Sequence, residues 1–117
     1  MIVARNEGDV KKLVKRVLDD VGCGGDPTSP LRDVWYFMPS ANGYGRQGIP
    51  DFVGCAAGRM FAIETKFGGN TLTAHQLREL DAVKKAGSNA WIVRESTFGI
   101  FEREFRDWVQ LYRALES

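Results

Sequence analysis

Among 117 residues there is one histidine, His75, and two cysteines, Cys23 and Cys55. A Cys/His zinc site therefore lacks its donors. The cysteines stand outside any C-x-x-C pair, and they are expected as reduced, small, partly buried thiols of a cytosolic protein, with a single disulfide left open. No apolar run approaches the ~18 residues of a membrane span, and the stretch from Met1 to Ala4 is too short to read as a signal peptide. Charge of one sign is also missing, with 16 Lys+Arg against 15 Asp+Glu. Residues 1–59 carry 8 basic and 7 acidic groups and residues 60–117 carry 8 and 8, so neither half hides an imbalance. A protein that holds nucleic acid or membrane by bulk positive field is disfavoured, and a polyanion partner has to be held by local chemistry.

What is present is ordinary globular material. A hydrophobic fraction of 44% and a charged fraction of 26% exclude disordered and fibrous classes. The length fits one domain, residues 1–117, with one core. Val10, Leu13, Val14, Val17, Leu18 and Val21 recur at helical spacing, with Asn6 as a cap and Gly22 as a stop. A loop from Cys23 to Arg32 holds Gly24, Gly25, Pro27 and Pro30, and Val34 to Met38 reads as a strand closed by Pro39. A second loop, Ser40 to Pro50, carries Gly43, Gly45 and Gly48 around Tyr44 and Arg46. Asp51 to Ala56 and Arg59 to Lys66 then form two strands joined at Ala57-Gly58. Thr73 to Ala86 reads as a helix with Leu77, Leu80 and Val83 inward and Gly87 at its C-terminal cap. Ala90 to Val93 is a short strand. Phe98 to Phe101 fits either state, and a last helix runs from Glu102 to Leu115. The order α-β-β-β-α-β-α predicts a single α/β domain.

Three carboxylates stand where a solvated charge is not the simplest account. A two-residue turn at Ala57-Gly58 pairs residues whose numbers sum to 115, which sets Asp51 directly opposite Glu64. A shift by one side-chain period would oppose Asp51 to Lys66 instead, and all three share a face in either case. Directly opposed like charges destabilise a sheet. Mg²⁺, which takes one or two carboxylates plus water and phosphate oxygens, would offset them; so would a salt-bridge triangle in which Lys66 alone neutralises the pair. Glu7 continues the apolar stripe of the first helix, where an unpaired carboxylate is costly, although the helix dipole also favours a first-turn Glu. Thr73-Ala74-His75-Gln76 fits a capping box, the preferred reading of Gln76. Lys11, Lys12, Lys15 and Arg16 are expected on a solvated helix face, with a duplex-arm contact as the sharper reading, and His75 at the surface rather than as a general base.

Taken together, Gly48-Ile49-Pro50-Asp51-Phe52, Ile63-Glu64-Thr65-Lys66 and Leu72-Thr73-Ala74-His75-Gln76 resemble the PD-(D/E)xK nucleases, and more narrowly the VRR-NUC family. The Asn6-Glu7-Gly8-Asp9-Val10 helix start and the Gly58-Arg59-Met60-Phe61 approach belong to the same pattern, which covers about residues 7 to 93. The resemblance implies a restriction-endonuclease-like core, a mixed β-sheet flanked by helices. It also implies Mg²⁺- or Mn²⁺-dependent hydrolysis of DNA phosphodiesters, with no small-molecule cofactor and no membrane partner. Carried onto this chain, Asp51, Glu64 and the Thr65 carbonyl would bind the metal, and Lys66 would orient the attacking water. Glu7 and Gln76 match the outlying motif positions as water or metal contacts. Arg46, just before Asp51, reads equally as a phosphate contact or a solvated loop arginine. Small members of the family resemble Holliday-junction resolvases, act as homodimers on branched or duplex DNA, and are often phage-encoded, acting in the host cytoplasm. The aromatics Trp91, Phe98, Phe101, Phe105, Trp108 and Tyr112 are expected as core by default and as an isologous interface otherwise. A catalytically silent DNA-junction-binding module on the same fold is the alternative from a different class.

Overall fold

The computed structural model describes residues 3–23, 33–40 and 45–116. The Gly24–Arg32 part of the loop expected from Cys23 to Arg32 and residues 41–44 of the second loop lie outside the described residues, as does the Cys23 side chain. Seven elements follow in the order α1 (Glu7–Cys23), β1 (Val34–Phe37), β2 (Phe52–Ala56), β3 (Arg59–Thr65), α2 (Ala74–Lys85), β4 (Asn89–Val93) and α3 (Phe98–Glu116). The strands form one mixed sheet in the order β1-β2-β3-β4, antiparallel except for the parallel β3–β4 pair. This is a small α/β fold. Among the described residues no helix is long and apolar enough to cross a membrane.

Local chemistry explains the ends of these elements. The Asn6 side chain accepts from the Asp9 amide at 2.8 Å, capping α1 as expected. Gly22 is not a stop, because α1 continues to Cys23. A Cβ at Gly22 would lie 2.8 Å from the Val34 Cβ, so the glycine lets the helix lie against β1. Thr73 closes a complete capping box with Gln76 at the start of α2. The ambiguous stretch Phe98 to Phe101 is the first turn of α3, with the Phe101 amide bonded to the Thr97 carbonyl.

Period-two alternation sorts the sheet into two faces. Val10, Val14, Val17 and Leu18 of α1 and Phe101, Phe105 and Val109 of α3 bury against Val34, Phe52, Phe61, Ile63 and Val93. Each such side chain contributes ~1.5–3 kcal/mol of burial. On the opposite face α2 packs over β3 and β4, with Leu80 buried. Leu77, expected inward, is 53% exposed, and the buried partner of Leu80 is Glu79. Buried Glu79 is held by an ion pair with Arg46, described below. Cys55, expected partly buried, is exposed and free. The aromatics expected as core by default, and otherwise as a second-copy interface, interlock within the subunit. Phe61 meets Phe105 edge-on at 5.2 Å, Trp91 meets Phe105 at 5.5 Å, and Phe101 and Phe105 are buried. Phe101 and Phe105 are therefore not surfaces for another chain.

Candidate active site

The Ala57-Gly58 turn adopts positive φ at both residues, 49° and 83°, as a type I′ hairpin turn requires. The pairs Ala56↔Arg59 through Phe52↔Ile63 follow, all summing to 115. One step further, Asp51 faces Glu64. The first of the two expected registers is the one adopted, with Asp51 just before β2 and Lys66 just after β3. The first turn of α1 reaches the same end of the sheet, so that one carboxylate oxygen each from Glu7, Asp51 and Glu64 lie within 4.8 Å of one another.

These carboxylates are not equivalent. Asp51 is locked in place: its Oδ2 accepts from the Thr65 amide at 2.9 Å and from the Thr65 hydroxyl at 2.6 Å. Its Oδ1 lies 3.7 Å from the Lys11 Nζ. Glu7 Oε1 lies 4.0 Å from the Lys66 Nζ, on a largely buried lysine. Glu64 is 1% exposed, and its Oε2 is buried with no hydrogen-bond partner. The salt-bridge triangle centred on Lys66 is not what forms, because the ion pairs run Lys11–Asp51 and Lys66–Glu7.

Burial is the main cause that pushes the Glu64 carboxyl up to about 9. A hydrogen-bond contact with Asp51, the Asp51 charge and the Glu7 charge push the same way, and only Lys66 opposes. The metal-free chain therefore holds Glu64 protonated at neutral pH. A buried carboxyl oxygen with no partner, beside two further carboxylates, is a costly arrangement. Three hard oxygen donors clustered this way fit Mg²⁺ or Mn²⁺, whose binding would draw off the proton and satisfy the orphaned oxygen.

A cleft of about 580 Å³ opens beside Asp51, lined by Pro39, Ser40, Arg46, Gly48 and Gln76 among others. Its wall depends on Gly48, at φ 80°, where a Cβ would lie 2.4 Å from the His75 carbonyl carbon and 2.7 Å from the Gln76 amide nitrogen. Only glycine lets this loop press onto the start of α2. Gln76 borders the cleft with its Oε1 accepting from the Thr73 amide at 2.9 Å, so its cap role holds while its residue lines the site. His75 is exposed, its Nδ1 2.8 Å from Arg78, as a surface residue. Thr65 contributes as the clamp on Asp51. A larger cavity of about 800 Å³ between α1 and α3 contains none of the three carboxylates, and its Arg106 pairs with Asp20 and Glu102.

Two participants were not singled out for the site from the sequence. Glu79 accepts from the Arg46 Nε at 2.7 Å and is 6% exposed, so a buried carboxylate holds the cleft arginine. Its signal was its place one helical turn after Gln76. Lys11 was expected on a solvated face, yet one turn after Glu7 it reaches Asp51. Lys12, Lys15 and Arg16 do lie on the exposed face. Neither protein-family models nor curated proteins match this chain.

Proposed function

We propose that this chain is a divalent-metal-dependent endonuclease with a restriction-endonuclease-like core, hydrolysing DNA phosphodiester bonds with the motif set of the VRR-NUC type. The observation that carries this reading is the buried, unpartnered Glu64 Oε2 beside Asp51 and Glu7. A fold has little reason to retain an opposed, orphaned carboxylate unless a cation completes it.

Asp51 and Glu64 would hold the ion, with the Thr65 carbonyl as a further oxygen ligand, while the Thr65 amide and hydroxyl fix the Asp51 carboxylate in one orientation. Mg²⁺ or Mn²⁺ bound there supplies polarisation of the phosphate and a lowered pKa for the attacking water. Lys66, kept at the site by Glu7, orients that water for in-line attack and meets the negative charge that develops on the phosphate oxygens. Arg46, held by Glu79, grips a phosphate in the cleft, while Gln76 borders it. The chain has one such carboxylate set among the described residues, so paired incision of a two-fold-symmetric junction takes two copies.

The test is incubation of the purified protein with labelled duplex, flap and four-way-junction DNA in Mg²⁺, Mn²⁺ or EDTA, beside Glu64→Ala. Metal-dependent cleavage by the wild type, lost in Glu64→Ala, is expected. Cleavage that persists in Glu64→Ala, or none by the wild type with either metal, removes the assignment. Junction binding without cleavage would favour the silent module.

A further inference from the structure

Among the described residues no element packs on one face of β1 and β2. Val34 and Tyr36 of β1 turn toward α1, where Val34 is buried and the Tyr36 hydroxyl donates to Asp19 at 2.7 Å. Alternation sends Trp35 and Phe37 to the other side, the side on which α2 covers β3 and β4. Trp35 is 58% exposed and Phe37 48% exposed. Their rings lie 5.6 Å apart and 40° from coplanar, a tilted contact rather than a parallel stack, and both stay about half exposed. Exposed Cys55 and Met60 continue the same apolar surface across the sheet.

The pairing register gives this surface a direction. Trp35 pairs with Cys55 and Phe37 with Val53. Past the end of the ladder the same row leads toward Pro39 and Asp51, which both line the cleft. An aromatic row thus runs along β1 and ends at the proposed metal ligand. From Trp35 to the level of Asp51 is ~13 Å at ~3.3 Å per residue, about the length of four nucleotides stacked at ~3.4 Å. No carboxylate stands in the row before Asp51, and Arg46 stands at its far end.

We propose that the uncovered face of β1 and β2 is a stacking platform for an unpaired DNA strand, which Trp35 and Phe37 lead into the cleft at Asp51. The proposal rests on the nuclease reading and narrows it to substrates with a single-stranded segment. Bases stack on exposed aromatic rings without sequence preference, and the continuity of the row with the cleft favours this occupant over a second copy of the chain.

Binding measured in EDTA separates the platform from the chemistry. Fluorescence anisotropy would compare labelled oligo-dT with a blunt duplex of equal length, for the wild type, Trp35→Ala/Phe37→Ala and Trp35→Tyr. The double variant should bind oligo-dT at least about tenfold more weakly with duplex affinity unchanged, while Trp35→Tyr keeps most of the affinity for oligo-dT. The proposal is overturned if the wild type does not bind oligo-dT, if the double variant binds it equally well, or if both DNAs lose affinity together. It is also overturned if light scattering shows a wild-type dimer that the double variant dissociates without change in oligo-dT affinity, which would assign the face to a second copy. Absence of metal-dependent cleavage with these binding differences intact would count against the nuclease chemistry alone.

Discussion

Replacing Glu64 with glutamine should stabilise the metal-free protein. The carboxyl sits at about 9 in the fold against 4.5 in the unfolded chain. Between those values the folded chain keeps a proton that the unfolded chain has released, so stability falls as pH rises. Each pH unit climbed in that window costs ~1.4 kcal/mol, which makes the penalty roughly 3 kcal/mol at pH 7. Below 4.5 both states are protonated and the penalty vanishes. Glutamine fills the same space, can donate to Asp51, and has no proton to lose. In EDTA at pH 7, Glu64→Gln should melt higher by on the order of 10 °C, with an advantage that grows toward pH 9 and shrinks toward pH 4.5. Circular-dichroism melts across that range read the effect directly. Mg²⁺ should then invert the order of response: at a hundredfold excess over its Kd it stabilises the wild type by ~2.7 kcal/mol and leaves Glu64→Gln unmoved. A glutamine variant that is no more stable than the wild type, or whose advantage does not change with pH, would refute the reasoning.

Three further substitutions probe the supports of the site. Gly48→Ala forces a side chain into φ 80° and onto the His75 carbonyl. It should cost more than ~2 kcal/mol in urea denaturation and lower cleavage by displacing the Asp51 loop. Thr65→Val removes the 2.6 Å hydroxyl bond to Asp51 while keeping shape. The fold should persist and Mn²⁺ affinity should fall about tenfold, read by calorimetric titration. Glu79→Gln weakens the hold on Arg46. It should raise KM for DNA several-fold with kcat little changed, and combining it with Arg46→Ala should add nothing beyond Arg46→Ala alone.

The parts of this molecule set by short-range rules were legible in the sequence. Ala57-Gly58 dictates the hairpin register, and from it follows the opposition of Asp51 and Glu64. Helical period brings Glu7 to the packed side of α1, and Thr73 with Gln76 forms the cap of α2. The rest depends on partners distant in sequence. Glu79 reads as a solvated charge until Arg46 arrives from a loop 33 positions earlier, and on the same helix Leu77 lies in water. Gly22 reads as a helix stop because the approach of Val34 is invisible in one dimension. Val34 to Met38 reads as a strand, but which of its faces is covered depends on α2, which among the described residues packs on β3 and β4 and leaves Trp35 and Phe37 exposed.

If the buried Glu64 is kept for a cation, Mn²⁺ must bind there and displace its proton. Electron paramagnetic resonance would count bound Mn²⁺, and calorimetry in buffers of different ionisation enthalpy would count the protons released with it. Binding at the site with release of a proton at pH 7, lost in both Glu64→Ala and Asp51→Ala, is the expected result. Mn²⁺ bound equally well by Glu64→Ala, or not bound by the wild type at millimolar concentration, would contradict it.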